Sequence, residues 1–143
     1  MLQSMNINEL LKKVSGKKSD WRQAKGGGWL HKSAIVDDET KITEQAIVWG
    51  MVYGNAQVCG DAWVCGDARV FGDEWNTSPL FIVGSKFSLT NAKRGYIQIG
   101  CKCETFSFWK TKGLDVVAQD EGFSEKEIKE YRAYINLFIA IGK

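Results

Sequence analysis

The residues of this chain that could perform chemistry are few and widely spaced. The sequence contains one histidine, His31, and four cysteines, Cys59, Cys65, Cys101 and Cys103. A histidine suits a general base because its pKa is near neutral, but it must lie within hydrogen-bond reach of the proton that it removes. No nucleophile–histidine–acid pattern, phosphate loop or dinucleotide fingerprint accompanies His31. We therefore predict no catalytic residue and interpret His31 as a turn or interface residue.

The cysteines and the acidic residues do not form a metal-binding pattern. Cys101 and Cys103 would point to the same side of an extended segment, but two thiols without further cysteines or a nearby histidine do not complete a tetrahedral zinc site. Asp61, Asp67 and Asp73 recur every six residues, which places their carboxylates too far apart to share a cation. We predict no metal and no cofactor, and expect the aspartates to be solvated turn residues.

A stretch near residue 90 combines features that are typical of a binding surface. The turn from Asn91 to Gly95 carries two cations and a side-chain amide, a lysine and two hydroxyl residues lie close before it in sequence, and two tryptophans are available for stacking. Cations, hydroxyls and an aromatic plate are what a phosphorylated, base-containing ligand needs. The alternative, an ordinary polar turn beside core aromatics, stays open because turns are polar for backbone reasons alone. The predicted ligand-binding set is Lys86, Ser88, Thr90, Asn91, Lys93, Arg94, Trp75 and Trp109.

A six-residue repeat determines the elements that must position these residues. An aliphatic residue recurs every six positions, with glycine two positions after the later ones and alanine two positions before several of them. This period fits a short strand followed by a turn, and three such units close a coil of about 18 residues. The step from Val48 to Val52 is only four residues, which predicts one shortened turn. The repeat positions are Val36, Ile42, Val48, Val52, Val58, Val64 and Val70.

The segments outside the repeat predict helices at both ends. Asn6 with Glu9 resembles a capping box, which predicts a helix over residues 6–15. Ser124 with Glu127 predicts another, followed by apolar residues at helical spacing. Residues 105–119 read as one or two irregular helical turns interrupted at Gly113.

The stretch between the repeat and these helical turns allows two interpretations. Residues 80–103 look extended, and they read either as a further irregular coil, with Ile82 one coil after Val64, or as a capping hairpin. The predicted organisation is a helix and basic connector over 1–25, a β-helix with an irregular last coil or hairpin over 26–104, and a helical cap over 105–143.

The bulk properties favour one soluble domain. A net charge of +2 over 143 residues gives no global attraction to nucleic acid, and the lysines of the first 25 residues read as a solvated helix face and connector. No apolar run could cross a bilayer and no signal peptide is recognisable, so we expect the protein in the cytoplasm. In that reducing compartment the four cysteines are expected to be free thiols that serve in packing.

The repeat from Ala34 to Asp73 resembles that of the hexapeptide-repeat left-handed β-helix proteins, which include many trimeric acyltransferases. This resemblance implies a mainly β fold, a short left-handed parallel β-helix with helical ends. Gly26–Trp29, the Gly-Asp-Ala coils, residues 84–90, Gly100-Cys101 and the helix containing Tyr131 are similar to small proteins encoded by bacteriophages and prophages. That second resemblance covers nearly the whole chain and implies a phage-related origin without naming an activity.

Resemblance to the acyltransferases of this family implies a histidine on a coil that acts as general base, beside a groove that binds acyl-coenzyme A. His31 precedes the coils and no histidine follows it, so nothing matches that position. We therefore expect a non-enzymatic homotrimer, or another closed homo-oligomer, that sequesters a small phosphorylated or nucleotide signal of host defence, without membrane or nucleic-acid partners. An acyl-CoA-dependent acyltransferase and a structural virion or assembly protein stay open as alternatives. The outward repeat positions Trp49, Tyr53, Trp63 and Phe71 are expected to form the subunit contacts.

Overall fold

Short parallel strands, one for each six-residue repeat, form the first part of the structure, a computed structural model that describes residues 3–66 and 68–141. Two-residue strands suffice because stacked neighbours supply the backbone hydrogen bonds that an isolated strand lacks. The parallel sheets have the strand orders β2-β5-β8, β3-β6-β9 and β4-β7-β10. The strands are β2 (Trp29–His31), β3 (Ile35–Val36), β4 (Lys41–Ile42), β5 (Ile47–Val48), β6 (Met51–Val52), β7 (Gln57–Val58), β8 (Trp63–Val64), β9 (Arg69–Val70) and β10 (Glu74–Trp75).

The pairing register confirms the shortened turn. Trp29 pairs with Ile47, 18 residues later, and Met51 pairs with Arg69 at the same spacing. Pairs that span the Val48–Val52 step are 16 residues apart, as in Ile47 with Trp63. A coil that includes the Val48–Val52 step is therefore two residues shorter than the 18-residue coil, and the strands stay in register across it.

The interior and the corners at Gly54, Gly60 and Gly66 follow the repeat as predicted, whereas after Val70 the positive φ is at Asp73 (+69°) and not at Gly72. The valines from Val48 to Val70 are fully buried, as are the alanines at positions 46, 56, 62 and 68. Gly54, Gly60 and Gly66 turn the corners with φ values of +62°, +61° and +55°, a region that penalises side chains with a Cβ. Glu44 takes the equivalent corner conformation in the first coil, with φ +57°.

The first coil is partly covered by the segment that precedes it. The strand β1 (Trp21–Gln23) pairs antiparallel with β2, placing Arg22 opposite Leu30. The helix α1 (Ile7–Lys13) begins at the Asn6 capping box, as predicted, with the Asn6 Oδ1 accepting from the Glu9 N–H at 2.9 Å. Its Leu10 packs into a cluster with Met5, Trp21, Trp29 and Ile47, with Ile7, Leu11, Val14, Trp49 and Trp63 around it.

Antiparallel strands follow the coils, so the hairpin alternative describes residues 80–105 better than a further coil. Ile82 pairs with Leu89 and is not a coil position one turn after Val64, because the chain reverses direction at residues 84–87. The coils end at β10, and the backbone contacts divide the chain into a unit up to residue 79 and another from residue 80. The antiparallel sheet has the order β11 (Phe81–Val83), β12 (Ser88–Lys93), β13 (Tyr96–Ile99), β14 (Lys102–Thr105).

The helices of the second unit pack on one face of this sheet. They are α2 (Phe106–Phe108), a π-helical turn (Trp109–Gly113), α3 (Leu114–Glu121) and α4 (Glu125–Ile141). The Ser124 capping box is confirmed, with the Glu127 N–H donating to Ser124 Oγ at 3.1 Å. Gly113 does not interrupt the helix; it allows close packing, because a Cβ there would collide with the Phe108 ring. The core of this unit contains Leu89, Ile97, Ile99, Trp109, Leu114, Val117, Tyr131, Ile135 and Phe138.

The fold is therefore mixed α/β, with in-register parallel sheets, a short N-terminal helix and a C-terminal helical region. The expectation of a mainly β chain underestimated the helices, because residues 106–121 run on through Gly113 as a helical segment. Among the described residues, no helix combines the length and the apolar character needed to cross a membrane.

Candidate functional site

The residues of the predicted ligand set lie in two different environments. Thr90 and Asn91 are buried in β12, and the Asn91 Oδ1 accepts from the Leu80 N–H at 3.1 Å. Lys93 and Arg94 are exposed at the β12–β13 turn, where the Lys93 Nζ lies 4.7 Å from the centre of the Tyr96 ring. The Asn91 side chain thus serves the backbone of the sheet, whereas Lys93 and Arg94 lie on the exposed side of the turn.

The two tryptophans of the set are core residues in this structure. Trp109 is fully buried, and its indole N–H donates to the Ile97 carbonyl at 2.8 Å. Trp75 is fully buried in the other unit, and its indole N–H donates to the Gly72 carbonyl at 3.0 Å. Neither ring has an exposed face on which a ligand could stack.

Lys86 and Ser88 lie at the end of β12 that is opposite to Lys93. The strand has six residues, so five steps of about 3.3 Å, roughly 17 Å in all, separate its two ends. The Lys86 Nζ lies 5.2 Å from the centre of the Phe123 ring and 4.0 Å from Glu127 Oε2. The structure therefore does not bring Lys86 and Lys93 together at one site.

A concave surface lies at the open end of the first coil. It is a cleft of about 590 Å³, within the range of about 300–1,000 Å³ that is typical of small-molecule sites. The floor contains the inward residues Leu30, Val36 and Ile42. We call this surface the coil-end cleft. Its walls contain Arg22, Gln23, Ala24, Lys25, Gly26, Asp37, Asp38, Thr40, Lys41 and Thr43.

Strand β1 places a cation above the apolar floor. Side chains that lie directly opposite in an antiparallel pair point to the same side of the sheet. Because Arg22 lies opposite Leu30, which is buried in the coil interior, the Arg22 side chain is directed over the end of that interior. Lys25 follows at the next turn and Lys41 lies on β4, so three cations border the cleft.

The cleft also lies over strand edges. The N–H groups of Ile35 and Asp37 donate to carbonyls of the second coil, those of Gly50 and Val52. Alternate residues of a strand bond to opposite neighbours, so Val36 directs its N–H and C=O toward the open end. The backbone of β3 therefore offers a donor and an acceptor to the cleft, in addition to the side chains.

His31 is placed in an aromatic row and not beside the cleft. Its ring lies 5.0 Å from that of Trp21 and 6.2 Å from that of Trp49. Its Nδ1 lies 2.7 Å from the Ser33 Oγ and accepts from the Ser33 N–H at 3.2 Å, which forms a local turn. His31 is thus the last residue of β2, and its ring holds the turn that follows; its interpretation as a turn or interface residue stays a prediction.

The ionisable groups near that turn are arranged as structural pairs. Asp20 accepts from the Lys17 N–H at 2.9 Å and lies 3.0 Å from the Lys32 Nζ, and these contacts lower the pKa of its carboxyl. Among the described residues, no group of three or more histidine, cysteine or acidic side chains could hold a metal ion. Asp67, the middle member of the predicted carboxylate row, lies outside the described residues.

The thiols are free, as expected from the sequence. Burial raises the pKa of Cys65 and, together with Glu74, that of Cys59. Burial and Glu104 raise the pKa of Cys103, against a smaller opposite effect of Lys93. A raised thiol pKa leaves less nucleophilic thiolate at neutral pH, so these three residues are poor candidates for covalent chemistry.

Sequence reasoning missed the coil-end cleft. Arg22 and Lys25 were interpreted as part of a basic connector, and Asp37 and Asp38 were not singled out. A signal was present, because Gly26–Gly28 separates two short segments that each begin with a tryptophan, Trp21 and Trp29, and a short glycine-containing connection of this kind is typical of a hairpin. That hairpin is the β1–β2 pair, and it folds Arg22 back over the first coil.

Comparison of the chain with profiles of protein families, with curated proteins and with solved structures finds no match in any of the three.

Proposed function

We propose that the chain is a non-enzymatic, homo-oligomeric binding protein that sequesters a small phosphorylated molecule in the coil-end cleft. The observation that carries this proposal is the position of Arg22, directed over an apolar floor, with Lys25 and Lys41 on the walls. Arginine and lysine form strong charge-assisted hydrogen bonds with phosphate oxygens. An apolar floor suits the less polar part of a ligand, as in small-molecule sites generally.

The finer parts of the proposal come from the sequence. We take the coils to be left-handed and of the hexapeptide-repeat type, and the protein to be phage-encoded and to act in the host cytoplasm. The ligand class would then be a nucleotide signal of host defence. These parts are supported by the six-residue repeat and by the resemblance of the motifs, and the cleft is compatible with them.

The oligomer is supported by the face formed by β3, β6 and β9. Ile35 is 50% exposed and Phe71 is 37% exposed, and the Phe71 ring stacks on that of Tyr53 with centres 5.2 Å apart. Trp49 and Trp63 give less support for subunit contacts, because both side chains already pack against the cluster around α1 within the same chain. We propose a trimer or another closed assembly through the Ile35–Phe71 face. A monomeric mass near 16 kDa in light scattering at micromolar concentration would contradict this part.

The ligand proposal is tested by thermal unfolding with a panel of cyclic and linear nucleotides. A ligand that binds only the native state raises the melting temperature, and sequestration without chemistry predicts that it is recovered unmodified. Two double variants locate the site: Lys25→Ala with Lys41→Ala in the cleft, and Lys93→Ala with Arg94→Ala at the β12–β13 turn. Each removes two exposed cations, so the pairs are matched in charge.

We expect the cleft variant to lose the shift and the turn variant to keep it. If instead the turn variant loses the shift and the cleft variant keeps it, the ligand binds at Lys93 and Arg94. If no nucleotide shifts the melting temperature of the unsubstituted protein, the ligand proposal is wrong.

A further inference from the structure

The coil-end cleft has carboxylates as well as cations on its walls. Arg22 and Lys25 belong to β1 and the turn after it, whereas Asp37 and Asp38 follow β3 at a corner of the first coil. We infer that the ligand carries, apart from its phosphate, a group that donates hydrogen bonds to Asp38. Sugar hydroxyls and the amino edge of a base are the two sources of such donors. This inference rests on the proposed function and names the ligand class of the same site.

Asp37 and Asp38 have different roles in the structure. The Asp37 Oδ2 accepts from the Gly54 N–H at 2.8 Å, and its backbone carbonyl accepts from the N–H and hydroxyl of Thr40. Asp37 therefore holds the corner together. Asp38 is exposed, and no hydrogen bond or ion pair among the described residues engages its carboxylate. Of the two, Asp38 is the carboxylate that is available to a ligand.

A carboxylate in an anion site can raise or lower the binding affinity, depending on the ligand. It repels a bare phosphate through space, because like charges that lie close together disfavour each other even where solvent screens them. It attracts a hydroxyl or amino donor, since a hydrogen bond to a charged acceptor is stronger than one between neutral groups. Removing the charge of Asp38 should therefore strengthen the binding of inorganic phosphate and weaken the binding of a ligand that has both groups.

The apolar floor separates Asp38 from Arg22 and Lys25, and the third cation, Lys41, lies on β4 beside the acidic corner. Leu30, Val36 and Ile42 lie between the cationic strand and the acidic corner, because they are the inward residues of the three strands of the first coil. A ligand that reaches both walls must cross this floor. A nucleoside monophosphate or a sugar phosphate has the required order of groups, whereas inorganic phosphate does not.

The test is isothermal titration of the full chain and of Asp38→Asn with inorganic phosphate, ribose 5-phosphate, adenosine monophosphate and guanosine monophosphate. Glu39→Gln is the matched control, because it removes one carboxylate charge at the neighbouring exposed position, which does not line the cleft. Unchanged melting temperatures of the two variants would establish that both fold normally, as expected for exposed substitutions.

We expect Asp38→Asn to bind the organic phosphates about tenfold more weakly and inorganic phosphate more tightly, while Glu39→Gln changes neither. A loss that includes ribose 5-phosphate assigns the donors to sugar hydroxyls; a loss confined to the nucleotides assigns them to the base edge. If Asp38→Asn binds every phosphate more tightly or equally well, the inference is wrong and the proposed function stands. If the unsubstituted chain binds none of the four probes, the proposed function fails with it.

Discussion

The hydroxyl of Tyr131 should be one of the most important polar groups for the stability of the second unit. Tyr131 lies on α4 and is fully buried, and its hydroxyl contacts the turn between β11 and β12. It accepts from the Lys86 N–H at 2.8 Å and from the Phe87 N–H at 2.5 Å, and it donates to the Phe87 carbonyl at 2.8 Å. One atom thus satisfies three main-chain groups of a tight turn.

We predict that Tyr131→Phe lowers the free energy of unfolding by about 2–4 kcal/mol. A buried polar group that loses its partner costs about 1–3 kcal/mol, and two N–H groups lose theirs, whereas the Phe87 carbonyl still accepts from the Gly84 N–H at 3.1 Å. The total stays below the upper limit for two buried groups because the turn is close to the surface, where water can reach part of it. No ring atoms are removed, so the packing of the aromatic ring is unchanged and no cavity forms.

The assay is urea unfolding followed by far-ultraviolet circular dichroism, whose signal is dominated by α3 and α4 of the second unit. Tyr134→Phe is the control, because it removes a hydroxyl from the same helix that makes a single bond, to Glu130 Oε2 at 2.8 Å. Hydrogen exchange at the Lys86 and Phe87 amides gives a local measurement. Equal losses in the two variants, or unchanged exchange at both amides, would refute the reasoning.

Three further predictions concern a corner glycine, a carboxylate and a thiol. Gly60→Ala should destabilise the protein by about 1–3 kcal/mol, because its φ is +61° and a Cβ would lie 2.9 Å from the Asn76 carbonyl oxygen; Gly72→Ala, with an ordinary φ and open space, should be neutral in the same urea titration. Glu130 accepts from the Ser85 hydroxyl and N–H, which lowers its folded-state pKa below its usual value of 4.5. Its contribution is present above pH 4.5 and is lost as the pH falls through the folded-state pKa, so the acid-side decline in melting temperature should be shallower in Glu130→Gln. Cys101 is exposed and should react with iodoacetamide before Cys103, whose pKa is raised by burial; alkylation of Cys103 first, detected by mass spectrometry of partly alkylated protein, would contradict this prediction.

The parts of the fold that repeat or that carry a local signal could be predicted from the sequence. The six-residue period of the aliphatic residues predicted which side chains point inward. The four-residue step at Val48 predicted the shortened coil, because the pairing register of stacked strands depends on the number of residues between them. Asn6 and Ser124 began helices for equally local reasons, since a capping box needs only residues three apart.

The candidate site could not be predicted in the same way because it depends on contacts between distant segments. Arg22 becomes a cleft residue only when β1 folds back along β2, and its own neighbours in sequence read as a basic connector. Trp109 was interpreted as a stacking plate, but burial of a large aromatic surface stabilises the core of the second unit more than an exposed position would. Asn91 was expected in a turn, whereas its amide satisfies the Leu80 N–H inside the sheet.

The constant spacing of the coil pairs has a consequence for how the chain folds during synthesis. Every parallel pair joins residues 16–18 positions apart, so the entropy cost of closing the loop is small and nearly the same for each new coil. Each coil can therefore add to the coil before it. The Tyr131 contacts with the β11–β12 turn span 44–45 residues and require α4 to have emerged from the ribosome. The coils should therefore assemble progressively while translation continues, whereas the second unit should fold in one late, cooperative step.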